Sequence, residues 1–444
     1  MPDLTTGDRT VQAQELPPAL ATALAGAEAA YARRCAGSAA ANARAARVMP
    51  GGNTRTSLWN DPFPLCVASG EGCRITDVDG HTYVDLLGEF TAGIYGHTPP
   101  ELAAAVAAAQ ADGINLSSHN TLESRLAELL VARFPSFDLV RFANSGTEAN
   151  LMALATAKIV TGRDRIVVFE GGYHGGVLTF GDGGSPVNVP HDFAVLPYDD
   201  SDAATAYFAS HGTSIAAVLV EPMLGAGGCR PASAAFLASL RRLTKDTGAI
   251  LIFDEIQTSR MAYGGYQGRF GPCPDMTTIG KFFGGGLAFG AFGGRHDIMS
   301  RLDPRRPDAI GHAGTFNNNT LTMAAGIAAI ETYLTADALD ALFDRGETVR
   351  ARLSTLFRDR QAPYSVSGLG SIMNIHGHGD RATDTALRRL MQFDLLEAGY
   401  YIAARGLIAL SLPLGEGEIS GFVDCVAAFL DRRSDALAAA HLRT

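Results

Sequence analysis

Between about Leu102 and Tyr333, the short apolar runs RIVVF, AAVLVEP, AILIFDE and the glycine-flanked AFGAFGG alternate with helical segments such as ELAAAVAAAQ and EANLMALATAK. Strands fed by intervening helices can pair side by side only as a mostly parallel sheet with helices packed over it, so the pattern predicts an α/β fold. The last hundred or so residues repeat the theme on a smaller scale. A helix runs through Leu353, a strand lies near SIMNIHG, the helix LRRLMQFDLLEAG follows, and a strand IALSLPL precedes a final helix. Before about Val48 the chain is Ala-rich with Arg spaced along it, reading as a helix suited to a partner surface. From MPGGNTRTSL to DVDGHTYVDLLG it turns to short β runs, with Asp79-Gly80 as a hairpin signal. The expected division is 1–92 for the N-terminal helix and antiparallel segment, 93–334 for a large domain and 335–444 for a small α/β domain. A chain of 444 residues exceeds the usual limit of one core, which agrees with this division.

Composition narrows the function classes. Hydrophobic residues are 47% and charged residues 18% of the chain, with 50 glycines, which suits an enzyme with many tight loops. A formal charge of -10 argues against a general nucleic-acid binder, which needs a basic face. The six cysteines, Cys35, Cys66, Cys73, Cys229, Cys273 and Cys425, show no C-x-x-C pair, and are expected to be reduced packing thiols. No segment approaches the roughly 20 apolar residues of a membrane span, and no basic n-region precedes an apolar stretch, so a soluble, cytoplasmic protein is expected.

Only three lysines, Lys158, Lys245 and Lys281, stand against thirty-three arginines. Lys158 and Lys245 sit near probable helix ends, where a solvated cation suits the dipole. Lys281 stands in TTIGKFFGGG with no charged neighbour nearer than Asp275 and Arg295. Arginine keeps its proton, whereas a desolvated lysine amine can be neutral and nucleophilic. Lys281 is therefore either a snorkelling structural lysine or a Schiff-base nucleophile.

Asp254 ends the run AILIFDE, where an open parallel sheet binds its ligands. An Asp-Glu after apolar residues also fits a Mg²⁺-holding nucleotidase, but the only Gly-Lys, Gly280-Lys281, is followed by Phe282, and a P-loop needs Ser or Thr there. A protonated pyridine nitrogen is the other natural partner of a buried acid. Ser145-x-x-Glu148 in NSGTEAN has capping-box spacing, and the same helix start could hold a cofactor phosphate. GGYHGG offers Tyr173 as an aromatic face. His174 beside it reads as structural, and no metal is expected.

NSGTEAN, GGYHGG, VEPMLGAGG, LIFDEIQT, TTIGKFFGGG and GTFNNN follow the order and spacing of the class III aminotransferases of fold type I, which this chain resembles over most of its length. The resemblance implies a large domain with a mostly parallel seven-stranded sheet plus a small α/β domain, pyridoxal 5'-phosphate as cofactor, and a homodimer with shared active sites. It implies that Lys281 carries the cofactor aldehyde and shuttles a proton, and that Asp254 pairs with the pyridine nitrogen. Tyr173 and Ile256 would flank the ring, Ser145, Gly146 and Thr147 would hold the phosphate, and Thr315 would reach it from the second subunit. Glu221 in VEP would lie near the cofactor, with a structural role equally open. Asn317-Asn318-Asn319 departs from the Gly-Asn-Pro common in the family.

PGGNTR, FTAGIYGH, INLSSHN, TFNNNTLTMAAG and ARGLIALSLPL resemble most the β-phenylalanine aminotransferases, within the branch that contains glutamate-1-semialdehyde aminomutase. This implies Arg55 and Arg405 as carboxylate-binding residues, a task that suits a planar guanidinium. Phe90 and Trp59 are candidates for an aromatic pocket, against core packing for Phe90 and a loop anchor for Trp59. The nearest relatives are expected to carry Tyr at the position of Phe90. The implied reaction is ping-pong transfer of the amino group of a β-amino acid, such as a 3-amino-3-arylpropanoate, to 2-oxoglutarate. A 2,1-aminomutase, another class III ω-aminotransferase and a non-catalytic PLP-binding regulator are the alternatives.

Overall fold

The computed structural model describes residues 16–181 and 183–441; the start of the expected N-terminal helix, residues 1–15, lies outside them. Seven strands form the central sheet, in the order Leu139–Ala143, Gly290–Gly294, Met276–Gly280, Ile250–Asp254, Ile215–Val220, Arg165–Phe169, Phe193–Leu196. Gly290–Gly294 is antiparallel to both its neighbours, and the remaining strand pairs are parallel. The short link from Gly280 to Gly290 has no room for the helical crossover that a parallel neighbour needs.

Alternate residues of the central strands enter opposite cores. Ile166, Val168, Ala217, Leu219, Ile250 and Ile252 pack with Ala149, Ala153, Leu154 and Ala157 of the helix Gly146–Thr161. Val167, Phe169, Val218, Val220, Leu251 and Phe253 pack with Phe236, Leu237 and Leu240 of the helix Ala234–Thr247. A sheet covered on both faces explains why its strands read as unbroken apolar runs.

The carboxyl ends of the parallel strands bring Asn144–Gly146, Tyr173, Glu221, Asp254 and Lys281 to one edge. The helix Gly265–Phe270 and the strand Met276–Gly280 lie between Asp254 and Lys281 along the chain. Their strands are adjacent, with Asp254 opposite Thr278.

Towards the C-terminus, Tyr364–Leu369, Ile372–Gly377 and Leu407–Ala409 form an antiparallel sheet beside the helices Ala336–Asp359, Arg381–Glu397 and Glu416–Arg432. The strand expected through IALSLPL stops at Ala409, and the next carbonyl, Leu410, accepts from the buried Arg260 guanidinium. Near the N-terminus, Val67–Glu71, Arg74–Asp77 and Thr82–Asp85 form the expected antiparallel hairpin sheet around Asp79-Gly80. Tyr400–Tyr401 joins its edge in parallel.

The Ala-rich N-terminal segment is two helices, Pro18–Arg34 and Ala36–Ala45, not one. The break at Cys35 frees the amides of Gly37 and Ser38 to donate to the Asp79 carboxylate of the hairpin turn, at 2.6 and 3.0 Å. Nor does the first helix keep its apolar face for a partner. Leu20, Leu24, Ala27 and Tyr31 are buried within this chain, the Tyr31 ring lying 5.2 Å from that of Phe393. Cys35, Asp77 and His81 come within 4.8 Å of one another here, with Asp77 engaged by Tyr83 Oη at 2.8 Å and His81 Nδ1 at 3.0 Å. All six cysteines are free thiols. Among the described residues no helix is long and apolar enough to cross a membrane.

Candidate active site

The strand Ile250–Asp254 ends in two adjacent acids whose side chains take opposite directions, as successive strand residues must. Glu255 turns toward the helix Gly265–Phe270 and accepts from Gln267 Nε2 at 3.0 Å; burial pushes its carboxyl up to about 7. Asp254 faces the sheet edge, 3% exposed. Its Oδ2 accepts from His174 Nδ1 and from Asn150 Nδ2, both at 2.8 Å, and its Oδ1 from the Ile256 amide at 3.1 Å. A carboxylate is an acceptor only, so the His174 proton sits on Nδ1. Asn150 is itself held by Thr278 Oγ1, at 2.6 Å, and also donates to the His174 carbonyl at 2.9 Å. Three elements thus fix the orientation of one carboxylate.

Lys281 follows the neighbouring strand with a left-handed backbone, φ 56°. Its Nζ donates to the Phe90 carbonyl at 2.8 Å. Burial pushes the amine down to about 8; Asp254 opposes that shift, and the Arg405 and Arg55 guanidiniums add to it. Glu221 is buried, and burial raises its carboxyl above the usual range. It accepts from the amides of Tyr173 and Gly225 at 2.9 and 3.0 Å.

Ser145 caps the helix Gly146–Thr161, its Oγ accepting from the Glu148 amide at 3.1 Å. The expected capping box is only half formed. The Glu148 carboxylate reaches back past Ser145 to the Asn144 amide, at 2.6 Å. A Cβ on Gly146 would overlap the Ile256 side chain, and one on Gly175 would strike Thr147. Both glycines therefore let the Ile256 and Thr147 side chains pack against the backbone at the helix start.

These groups surround a cavity of about 170 Å³ lined by Gly146, Thr147, Tyr173, Glu221, Asp254, Ile256 and Lys281, with His174, Gly175 and Gln257 added by the structure. A roomier groove of about 360 Å³ lies by the helix Pro18–Arg34, but of its two acids, Asp394 and Glu397, the buried one, Asp394, is already paired with Arg433. The smaller cavity gathers Asp254, Glu221 and Lys281. Gln257 Oε1, an acceptor, is buried there without a partner among the described residues, and the start of the helix Gly146–Thr161 lines the same cavity as the Lys281 amine. A positive helix end, an amine and a buried carboxylate together fit an anionic cofactor that carries an aldehyde and a ring nitrogen.

Phe90, read from sequence as core packing or pocket wall, is half-buried beneath two cations. The Arg55 and Arg405 guanidinium carbons lie 5.2 and 5.5 Å from its ring centroid. Arg55 pairs with Glu89, and Arg405, whose guanidinium burial destabilises, is anchored by its carbonyl to Arg388 at 2.6 Å. Trp59 is exposed and bonds Asp61 Oδ1 at 3.3 Å, and it lines with Phe90 a small cavity of about 40 Å³. Thr315 is exposed and lies outside this cavity.

Asn150, Gln257 and Glu89 carry no role assigned from the sequence. Asn150 carried a usable signal, a polar residue on the apolar stripe of Ala149, Ala153 and Ala157. His174, set aside as structural, is one residue from Tyr173 and contacts Asp254 directly.

Residues 56–413 match the family model for class III aminotransferases. The chain is 50% identical over 393 residues to a beta-phenylalanine transaminase of Variovorax paradoxus, covering 87% of this chain and 90% of that protein. A crystal structure of a beta-phenylalanine aminotransferase from the same organism superposes with a TM-score of 0.92 at 47% identity, over 94% of this chain and 98% of that one. A transaminase with PLP bound superposes with a TM-score of 0.84 at 34% identity, over 92% and 99%. A glutamate-1-semialdehyde 2,1-aminomutase of Dichelobacter nodosus is 39% identical over 350 residues, 74% of this chain and 80% of that protein.

Proposed function

This chain belongs to the class III aminotransferases and is a pyridoxal-phosphate-dependent enzyme; from that premise we propose that it moves the amino group of a β-amino acid, of the 3-amino-3-arylpropanoate class, to 2-oxoglutarate. The observation that carries the reading is the pair of guanidiniums, Arg55 and Arg405, on one Phe90 ring whose carbonyl holds the Lys281 amine. A transaminase must seat two different acids in one pocket. In a β-amino acid the carboxylate lies one carbon farther from the amine than in glutamate, and two cations at different places accommodate both. The two acids would therefore enter in turn, in ping-pong order.

When bound, the cofactor supplies an aldehyde for the lysine and a ring that takes up the electron pair left as the substrate carbon loses its proton. Lys281, depressed to about 8, has a neutral fraction near physiological pH that can attack and then carry a proton at Nζ. Asp254, oriented by His174, Asn150 and the Ile256 amide, would face the ring nitrogen. Ser145, Gly146 and Thr147 at the helix start would hold the phosphate, with Thr315 of a second copy completing the cradle in a homodimer. Tyr173 and Ile256 would flank the ring, and Glu221 would hold the Tyr173 loop through its amide.

Incubating the purified, PLP-loaded protein with 3-amino-3-phenylpropanoate and 2-oxoglutarate should yield glutamate. No glutamate with the cofactor bound would refute the assignment, and isomerisation of glutamate-1-semialdehyde without an added acceptor would favour the aminomutase reading instead.

A further inference from the structure

Glu89 has no part in the chemistry above, yet it is held in an unusual place. Gly88, Glu89, Phe90 and Thr91 all have positive φ, at 53°, 47°, 53° and 80°. Three consecutive non-glycine residues in the left-handed region persist only where surrounding structure over-determines them. Here Asp85 Oδ1 accepts from the amides of Leu87 and Gly88 at 2.8 and 3.0 Å, and the buried Arg260 donates to the Thr91 carbonyl at 3.4 Å. The backbone that carries Glu89 is thus pinned at both ends.

From it the Glu89 carboxylate pairs with Arg55 Nη2, and both side chains meet solvent, at 60% and 45% exposure. An ion pair this exposed is weak, and a competing carboxylate can replace one partner easily. Arg405 differs. It is half-buried beside the same Phe90 ring and, among the described residues, makes no ion pair with a carboxylate.

We propose that Glu89 determines specificity as an internal carboxylate: it stays on Arg55 while a one-carboxylate ligand occupies Arg405, and yields Arg55 to the second carboxylate of a dicarboxylate ligand. With Glu89 in place the lip above Phe90 is neutral and can face the uncharged part of a donor. A dicarboxylate acceptor needs both guanidiniums and has to displace it. This rests on reading Arg55 and Arg405 as carboxylate sites.

The test uses two unreactive ligands, glutarate and 3-phenylpropanoate, titrated into the PLP-loaded protein with the cofactor absorbance as readout. Glu89→Gln should tighten glutarate by about fivefold and leave 3-phenylpropanoate within about twofold. In an Arg55→Gln background the same change at Glu89 should give no gain. Equal tightening of both ligands, no change for glutarate, or a gain that persists without Arg55 would each overturn the proposal, the last because it would mark a general charge effect. Selective tightening in a protein that forms no glutamate would support the role of Glu89 while refuting the substrate assignment; turnover without selective tightening would do the reverse.

Discussion

Replacing Lys281 by Met in the cofactor-stripped protein is expected to raise stability near neutral pH and to lose that gain in alkali. Burial lowers the amine from an ordinary 10.5 to about 8, which corresponds to about 3 kcal/mol against the charged form at roughly 1.4 kcal/mol per unit. The folded value lies below the unfolded one, so between these two values the unfolded chain binds the proton more tightly. The penalty is therefore complete below about pH 8, shrinks as pH rises, and is gone above 10.5. Methionine matches the length of the side chain but gives up the bond from Nζ to the Phe90 carbonyl, a loss of about 1 kcal/mol that is insensitive to pH. The net expectation is a variant about 2 kcal/mol more stable than wild type near pH 7, and about 1 kcal/mol less stable once the amine is neutral in both states. Urea unfolding of both proteins at the two pH extremes measures this. The difference between the two stability gaps isolates the lysine, since every other titrating group is common to both proteins. A gap that stays constant with pH would show that the amine is solvated in the fold, and would remove the physical basis for its nucleophilicity.

Two further substitutions probe the frame around it. Gly146→Ala places a methyl group against Ile256, and should weaken PLP binding about tenfold in an absorbance titration; unchanged affinity would mean that the space above the helix start is not the phosphate cradle. Asn150→Ala deprives Asp254, the His174 carbonyl and Thr278 of a buried partner at once. A loss of about 2–4 kcal/mol in chemical denaturation is expected, and wild-type stability would show that water replaces the amide.

Asn150 and His174 mark where reading the chain stops. Ser145, Gly146 and Asp254 are recognisable because their signals are local: a cap before a helical run, and an acid at the end of an apolar strand. Asn150 sits in the same motif, but its importance depends on partners at Asp254, His174 and Thr278, contributed by other elements. The hinge at Cys35 was hidden for a related reason, since the amides it frees are capped by Asp79 across the hairpin turn. The half-formed capping box shows the limit of spacing rules. Ser145-x-x-Glu148 has the right interval, yet the Glu148 carboxylate accepts from the Asn144 amide instead.

The alternation of apolar runs with helical segments determined by itself that the chain builds a two-faced, mostly parallel sheet, because burial on both sides of a strand is written in consecutive residues. The isolated lysine and the aspartate at a strand end likewise stand out in the sequence as candidates, because each signal is local. Only the tertiary structure decided that Phe90 would offer its carbonyl to that lysine and its ring to Arg55 and Arg405, and that Glu89 would hold one of those arginines while the other, among the described residues, makes no ion pair with a carboxylate. Hydrogen-bond direction, desolvation and charge pairing depend on neighbours through space, and residues so far apart along the chain carry no local pattern that announces their meeting.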